Sequence, residues 1–462
     1  MVCILNANDW QIIYEQQGVC YYSGCYYPPD CPWDGMNLPF AWVRVDTLSG
    51  AITAARDHFG QEPFYYTFDN NRFIFGTTIR DILKHLPKTP EFTEHLITDC
   101  YQRFPVGDPL DDPPYTNETY YKGIFRVTPG HVATITREDK SEEPFWQLDP
   151  NQPTLNYKDE QEYIDHFSTL LAEAIKITTQ GEQELALEFS GGIDSTAIFA
   201  TCINLGLKPY LFRHVPPSSR KKTNEDLNVQ QIITQFAWED KYFPVNADSF
   251  EPITVFKHYA HLFQSPPPNM NCVLAHNVYE AIKNQGLRTV ISGYGGDDGV
   301  SLLFPLSVIA KSTTDLRTYE VDLLHGLICH EMRMRLEYSV IATKAMGLKY
   351  VYPLLYPPLI EFCFSVPFEM KFKNGTMRYI MQQYLKQHIG FMNFSTKDGA
   401  FVPSTMQKCR DYFKLGLFHP FFVNLPLQNY SDERTDLDDK LLLQIHSFML
   451  KQVLKMRASI LA

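Results

Sequence analysis

At 462 residues the chain is longer than a single hydrophobic core usually organises, so two domains are expected. Its 41 Lys and Arg against 53 Asp and Glu give a net charge of −12, which argues against a surface built to neutralise a phosphate backbone; no nucleic-acid partner is expected. The opening nine residues lack a basic region followed by an apolar stretch, and nowhere does the chain offer about 18 uninterrupted apolar residues, so a cytoplasmic protein without a membrane span is expected.

Ten cysteines scattered over this length do not make a disulfide framework. Cys20, Cys25 and Cys31 come closest to a cluster, but they lack Cys-x-x-Cys spacing and a nearby histidine, so ordinary packing is expected of them rather than zinc binding. Short aromatic and β-branched runs at 41–45, 64–68, 72–75 and 131–135 alternate with Gly, Asn and Asp turns, which is the pattern of strands. Two prolines among polar residues at 146–153 interrupt every periodicity and place a boundary between a strand-rich domain over 1–150 and a second domain over 151–462.

Beyond that boundary helices alternate with short apolar strands. Asn156 offers an N-cap to a helix that carries Tyr163, Phe167, Leu170, Leu171 and Ala174 at helical spacing. A strand is expected at 185–189, then a glycine loop, a helix to about 205, a second strand at 210–215, helices over about 225–237 and 273–285, and a third strand at 288–292. Such alternation implies a parallel sheet that binds ligands beyond the carboxyl ends of its strands. Residues 216–222, with two prolines and three basic residues, follow one such end and are expected to form a mobile basic loop over the site.

Two motifs sit at strand ends. In Ser190-Gly191-Gly192-Ile193-Asp194-Ser195 the glycines let backbone amides approach an anion, the following helix adds its positive end, and the serine hydroxyls add donors. Diphosphate is the natural ligand of such a loop. It is neither a Walker loop, since no Gly-Lys-Ser/Thr ends it, nor the dinucleotide fingerprint, since the third glycine is missing. Asp194 would repel phosphate unless a divalent cation lay between them, so Mg2+ is implied. The second motif, Ser292-Gly293-Tyr294-Gly295-Gly296-Asp297-Asp298-Gly299, supplies Asp297 as a second metal ligand facing the first.

The two motifs together resemble the synthetase domain of the asparagine synthetase superfamily, which cleaves ATP to AMP and pyrophosphate. The first domain agrees: residues 56–66, 73–79 and 127–131 are similar to segments of that family's glutaminase domain. The resemblance implies an α+β N-terminal domain of the Ntn-hydrolase type and an α/β C-terminal domain of the ATP pyrophosphatase (PP-loop) type with a parallel sheet. It makes Ser190, Gly191, Gly192, Asp194, Ser195, Gly293 and Gly295 the ATP-binding residues and Asp194 and Asp297 the Mg2+ ligands.

Two departures select a branch. A glutaminase of this type uses a terminal cysteine whose α-amine is the base, whereas here Val2 holds that place and Cys3 comes one residue late, so Cys3 is expected in a strand and the first domain is expected to lack glutaminase activity. Tyr294 stands where asparagine synthetases carry glutamate, and in this it looks like β-lactam and carbapenam synthetases. That likeness implies a catalytic pairing of Tyr294 with Glu337, with Glu331 a weaker alternative, and a Lys397 that steadies the charge of the reacting centre. The expected reaction adenylylates a carboxylate and closes an amide with an amine the substrate already carries. The product would be a β-lactam or a peptide macrolactam such as a lasso ring. The substrate is then a small molecule or a precursor peptide, the latter with a protease or leader-binding partner. The rivals are an asparagine synthetase fed by glutamine or ammonia, a tRNA-modifying pyrophosphatase, and a non-catalytic binding protein on this fold.

Overall fold

The computed structural model describes residues 2–4, 11–15, 18–24, 35–96 except 47 and 71, 115–149 except 137–138, 152–215, 222–265 except 247–248, 271–300, 327–390 and, singly, 409, 449 and 452. The alternating runs of the first domain become two sheets. Val2–Ile4, Arg72–Gly76, Tyr65–Asp69 and Phe125–Arg126 make a four-stranded sheet in that order, its first pair parallel and the others antiparallel. Lys140–Pro144, His131–Ile135, Ile52–Arg56, Phe40–Asp46, Gly18–Gly24 and Gln11–Glu15 make a six-stranded antiparallel sheet. Ala41, Val43 and Ala54 of the larger sheet share one buried core with Tyr66, Phe73 and Phe75 of the smaller, so the two sheets stack as a sandwich. Cys3 lies in the ladder, opposite Ile74.

The second domain holds five parallel strands in the order Tyr242–Val245, Tyr210–His214, Leu185–Glu188, Thr289–Ile291, Lys349–Val351. The three central strands are those expected from sequence. The other two are the edges: one contains Pro244, tolerable only where no further strand needs its missing N–H, and the other is three residues long. Between Leu185–Glu188 and Thr289–Ile291 the winding of the chain reverses, which opens a crevice beyond their carboxyl ends.

The helix expected from Asn156 begins later, at Glu160–Thr179, because the Asp159 carboxylate, three residues before Glu162, accepts from the Glu162 amide and caps it. Ile193–Asn204 and Asn224–Phe236 fall where expected, the latter closed by a reciprocal Thr223/Asp226 capping box. The single helix expected over 273–285 is two, Asn271–Leu274 and His276–Asn284.

The domains share their cores. Tyr65, Ile74, Ile79 and Tyr121 of the first pack with Phe256, Tyr259, Phe263 and Tyr338 of the second, and Phe59 and Leu148 pack with Leu336, Tyr352 and Leu355. Trp146 donates from Nε1 to Glu361 at 2.7 Å, and Tyr121 to the Gln264 carbonyl at 3.0 Å. Among the described residues no helix is long and apolar enough to cross a membrane.

Candidate active site

Both glycine motifs issue from the two strands that flank the reversal point, so the sheet topology alone brings them face to face. The first loop turns at Gly191, whose φ of +83° is left-handed and whose missing side chain leaves room for the helix behind it: a Cβ there would lie 2.4 Å from the Glu225 carbonyl oxygen. Asn228 Nδ2 donates to the Gly191 carbonyl at 3.1 Å and Arg213 Nε to that of Ser190 at 3.2 Å, so the loop is braced from the neighbouring strand and helix. Ser190 and Ser195 join hydroxyls at 3.1 Å, and the Gly192 amide donates to Ser190 Oγ at 3.1 Å. Gly192 is the N-cap of Ile193–Asn204 and offers no side-chain acceptor to the first-turn amides. Amides at a helix start without a side-chain cap, flanked by two hydroxyls, form an anion site, and the loop fits a diphosphate.

The second loop closes on the first. Gly293 lies against the Ser195 amide, Gly295 against Leu355, and Gly296 directly under Asp194. At Gly296 a Cβ would come within 2.2 Å of Asp194 Oδ1, so only glycine allows the approach. Asp297 follows in a turn of π-helix, Gly296–Val300, and the two carboxylates converge on one guanidinium: Arg378 reaches Asp194 Oδ2 from Nη1 at 3.2 Å and Asp297 Oδ1 from Nη2. A cationic group, the Arg378 guanidinium, is thus already held between Asp194 and Asp297. Among the described residues no group of three or more His, Cys, Asp or Glu side chains has metal-binding geometry. Two carboxylates completed by phosphate oxygens and water suit Mg2+, which seldom occupies an all-protein cage.

The remaining expected site residues separate. Tyr294 is half-buried in the crevice wall, its ring 6.1 Å from that of Tyr352 and covered by the Arg335 guanidinium 3.5 Å from the ring centre. Glu337 is not paired with it. The helix His330–Ala345 directs Glu337 to the domain interface, where Oε2 takes a bond from Arg56 Nη2 at 2.8 Å and Oε1 takes one from Arg126 Nε at 3.0 Å and another from the Tyr65 hydroxyl. Arg335 and Glu337 are two positions apart and so leave a helix in different directions, which is why one reaches the crevice and the other the first domain. Burial pushes the Glu337 carboxyl up, yet the Arg126 and Arg56 charges and the hydrogen bonds outweigh it and hold it below its ordinary value. Lys397, the Glu331 side chain and the loop 216–221 lie outside the described residues.

Three charged residues of the crevice were not singled out from the sequence: Arg335, Arg378 and Glu188. Glu188 ends the strand Leu185–Glu188 and accepts from the Tyr350 hydroxyl; burial raises its carboxyl, opposed by bonds from Tyr350 and Ser292 and by the Arg335 charge. A lone carboxylate in an otherwise apolar strand, one residue short of the glycine loop, was the available signal.

Comparison with known proteins matches a stretch of each domain. The sequence profile of the glutamine amidotransferase domain matches residues 33–146, and that of asparagine synthase matches residues 166–300. Relatives include Amidase chry2 of Gibberella zeae, 25% identical over 56% of this chain and 39% of that protein, and Amidase chyE of Penicillium rubens, 27% identical over the same shares. Asparagine synthetase (glutamine-hydrolyzing) 3 of Bacillus subtilis is 28% identical over 39% of this chain and 28% of its own. The chain thus spans about two fifths of the length of the fungal relatives it matches.

Proposed function

From a chain whose two domains together make it a member of the asparagine synthetase superfamily, we propose an ATP- and Mg2+-dependent carbon–nitrogen ligase that adenylylates a carboxylate and then forms an amide. The observation that carries the reading is the meeting of Asp194 and Asp297 on the Arg378 guanidinium beside the glycine turn of Ser190 to Ser195. A carboxylate oxygen of the substrate attacks the α-phosphorus and the bond to pyrophosphate breaks; the amine then attacks the acyl carbon and AMP leaves. When bound, Mg2+ neutralises the diphosphate as its charge grows. The Ser190–Ser195 amides and hydroxyls hold that diphosphate, and Asp194 and Asp297 anchor the ion.

The attacking amine must lose a proton, and Tyr294 is the acceptor in this proposal. Arg335, not Glu337, lies on its ring, where a cation offsets the charge a phenol gains on deprotonation. Tyr294→Phe is expected to retain isotope exchange between pyrophosphate and ATP in the presence of substrate and to form amide roughly 10²–10⁴-fold more slowly. Amide formation at the wild-type rate would leave Tyr294 a packing residue.

The amine belongs to the substrate itself, so the product is a lactam or a peptide macrolactam, and a precursor peptide would bring a protease or leader-binding partner. Tyr294 and the place of Cys3 support this. A terminal nucleophile needs a free α-amine, whereas the Cys3 nitrogen is the amide that follows Val2 and its backbone is in the ladder with Ile74. Cys3→Ala is therefore expected to leave ATP-dependent product formation unchanged. The competing reading is a glutamine-fed asparagine synthetase, favoured by the amidotransferase match over 33–146. Glutaminase activity in the wild type that disappears in Cys3→Ala would decide for it.

A further inference from the structure

The hairpin Phe372–Lys373/Thr376–Met377 turns through Asn374 and Gly375, both at positive φ, and delivers Arg378 to the crevice in a left-handed conformation of its own, φ 56° and ψ 39°. Arginine has no intrinsic reason to adopt that backbone, and such conformations persist where the surroundings impose them. Arg378 is the N-cap of Tyr379–His388, yet its side chain plays no capping part. It is about nine-tenths buried and spends two nitrogens on two carboxylates from different loops, 184 and 81 positions away in sequence.

We infer that Arg378 is the resident counter-cation of the Asp194–Asp297 pair, so that a divalent ion enters this site only in exchange for the Arg378 guanidinium. The inference rests on the reading of these carboxylates as cation ligands. Two carboxylates that meet on one guanidinium would repel one another without it, and Arg378 relieves this. The guanidinium and a divalent ion then compete for the same oxygens. A free ion has only two carboxylates to gain against a planar cation already in place, whereas an ion carried by a nucleotide brings phosphate oxygens to complete its shell. The site therefore discriminates against free metal and loads metal with nucleotide.

The test titrates Mn2+ into nucleotide-free protein, following the loss of the free-ion EPR signal, and repeats the titration with a non-hydrolysable ATP analogue. The wild type should bind Mn2+ weakly alone and tightly with the analogue. Arg378→Gln should bind Mn2+ alone roughly 5–150-fold more tightly than the wild type, the size of a typical coupling between two ligands. That gain should vanish in Asp194→Asn/Arg378→Gln. If Arg378→Gln binds Mn2+ alone no better than the wild type while Asp194→Asn weakens binding with the analogue, the exchange is overturned and the ligand assignment stands. If Asp194→Asn changes Mn2+ binding in neither condition, the ligand assignment falls and the inference with it. Should Arg378→Gln fail to fold, Arg378→Lys replaces it. Its single ammonium cannot fork to both carboxylates, so an intermediate gain is expected, and an unchanged affinity overturns the inference.

Discussion

Glu337→Gln is expected to destabilise the protein by about 3–5 kcal/mol, read as a lowered urea midpoint, because it leaves two buried guanidiniums without their counter-charge. The Glu337 side chain is fully buried, and so are Arg56 and, all but 2%, Arg126. The arginines also serve local carbonyls: Arg56 donates to Glu62 and Gly60 and Arg126 to Glu118, so they cannot swing out to solvent without breaking the first domain's own turns. Glutamine keeps the shape and one acceptor oxygen but removes the charge that justifies placing two cations in the interface. A Glu337→Gln/Arg126→Gln double variant should recover part of the loss, since it removes charge from both sides. The pH dependence has a definite sign. The folded carboxyl lies below its ordinary value, so its stabilisation is present above about pH 4.3 and is lost as pH falls through the depressed folded value. The gap between wild type and variant should therefore close in acid. A purely catalytic Glu337 would behave otherwise, with amide formation reduced and the urea midpoint unmoved, and that result would restore its pairing with Tyr294.

The different fates of Glu337 and the phosphate loop indicate what was legible in the sequence. Everything the Ser190 to Ser195 turn needs is local: a strand end, two small residues, and a helix start within six positions. The facing of the second loop followed from the alternation of strands and helices, because a parallel sheet puts all its carboxyl ends on one side. Glu337 could not be placed this way. Its partners lie 281, 272 and 211 positions away in another domain, and neither the helical spacing nor its distance from Pro353 says which side of His330–Ala345 faces that domain. Arg378 was hidden for a similar reason: the carboxylates it serves were not neighbours until the sheet was assembled. The two strands of the parallel sheet that were missed are its edges, where pairing on one side permits short or proline-containing sequences that carry little signal.

Asp194→Asn and Asp297→Asn are each expected to lower Mg2+-dependent pyrophosphate release by roughly 10²-fold or more, the scale on which loss of one preorganised electrostatic contact is felt at a transition state. Asparagine keeps the size and can still accept a hydrogen bond from Arg378, so folding should survive and the loss should fall on chemistry. The two effects should not be equal. Asp194 is the more enclosed, with 17% of its side chain exposed against 30% for Asp297, and it is pressed onto Gly296 with no room to be replaced by water, so Asp194→Asn should cost more. Asp298 is the internal control: it shares the same short turn of π-helix but is not among the ion's ligands in this proposal, so Asp298→Asn should stay closer to wild type. The measurement is pyrophosphate release as a function of Mg2+ concentration at saturating ATP. A ligand to the ion should raise the Mg2+ concentration needed for half-maximal rate as well as lower the ceiling, whereas a residue that merely shapes the loop should lower the ceiling alone. Wild-type release in both Asp194→Asn and Asp297→Asn would remove the metal assignment and leave Arg378 the only cation those two carboxylates were built to hold.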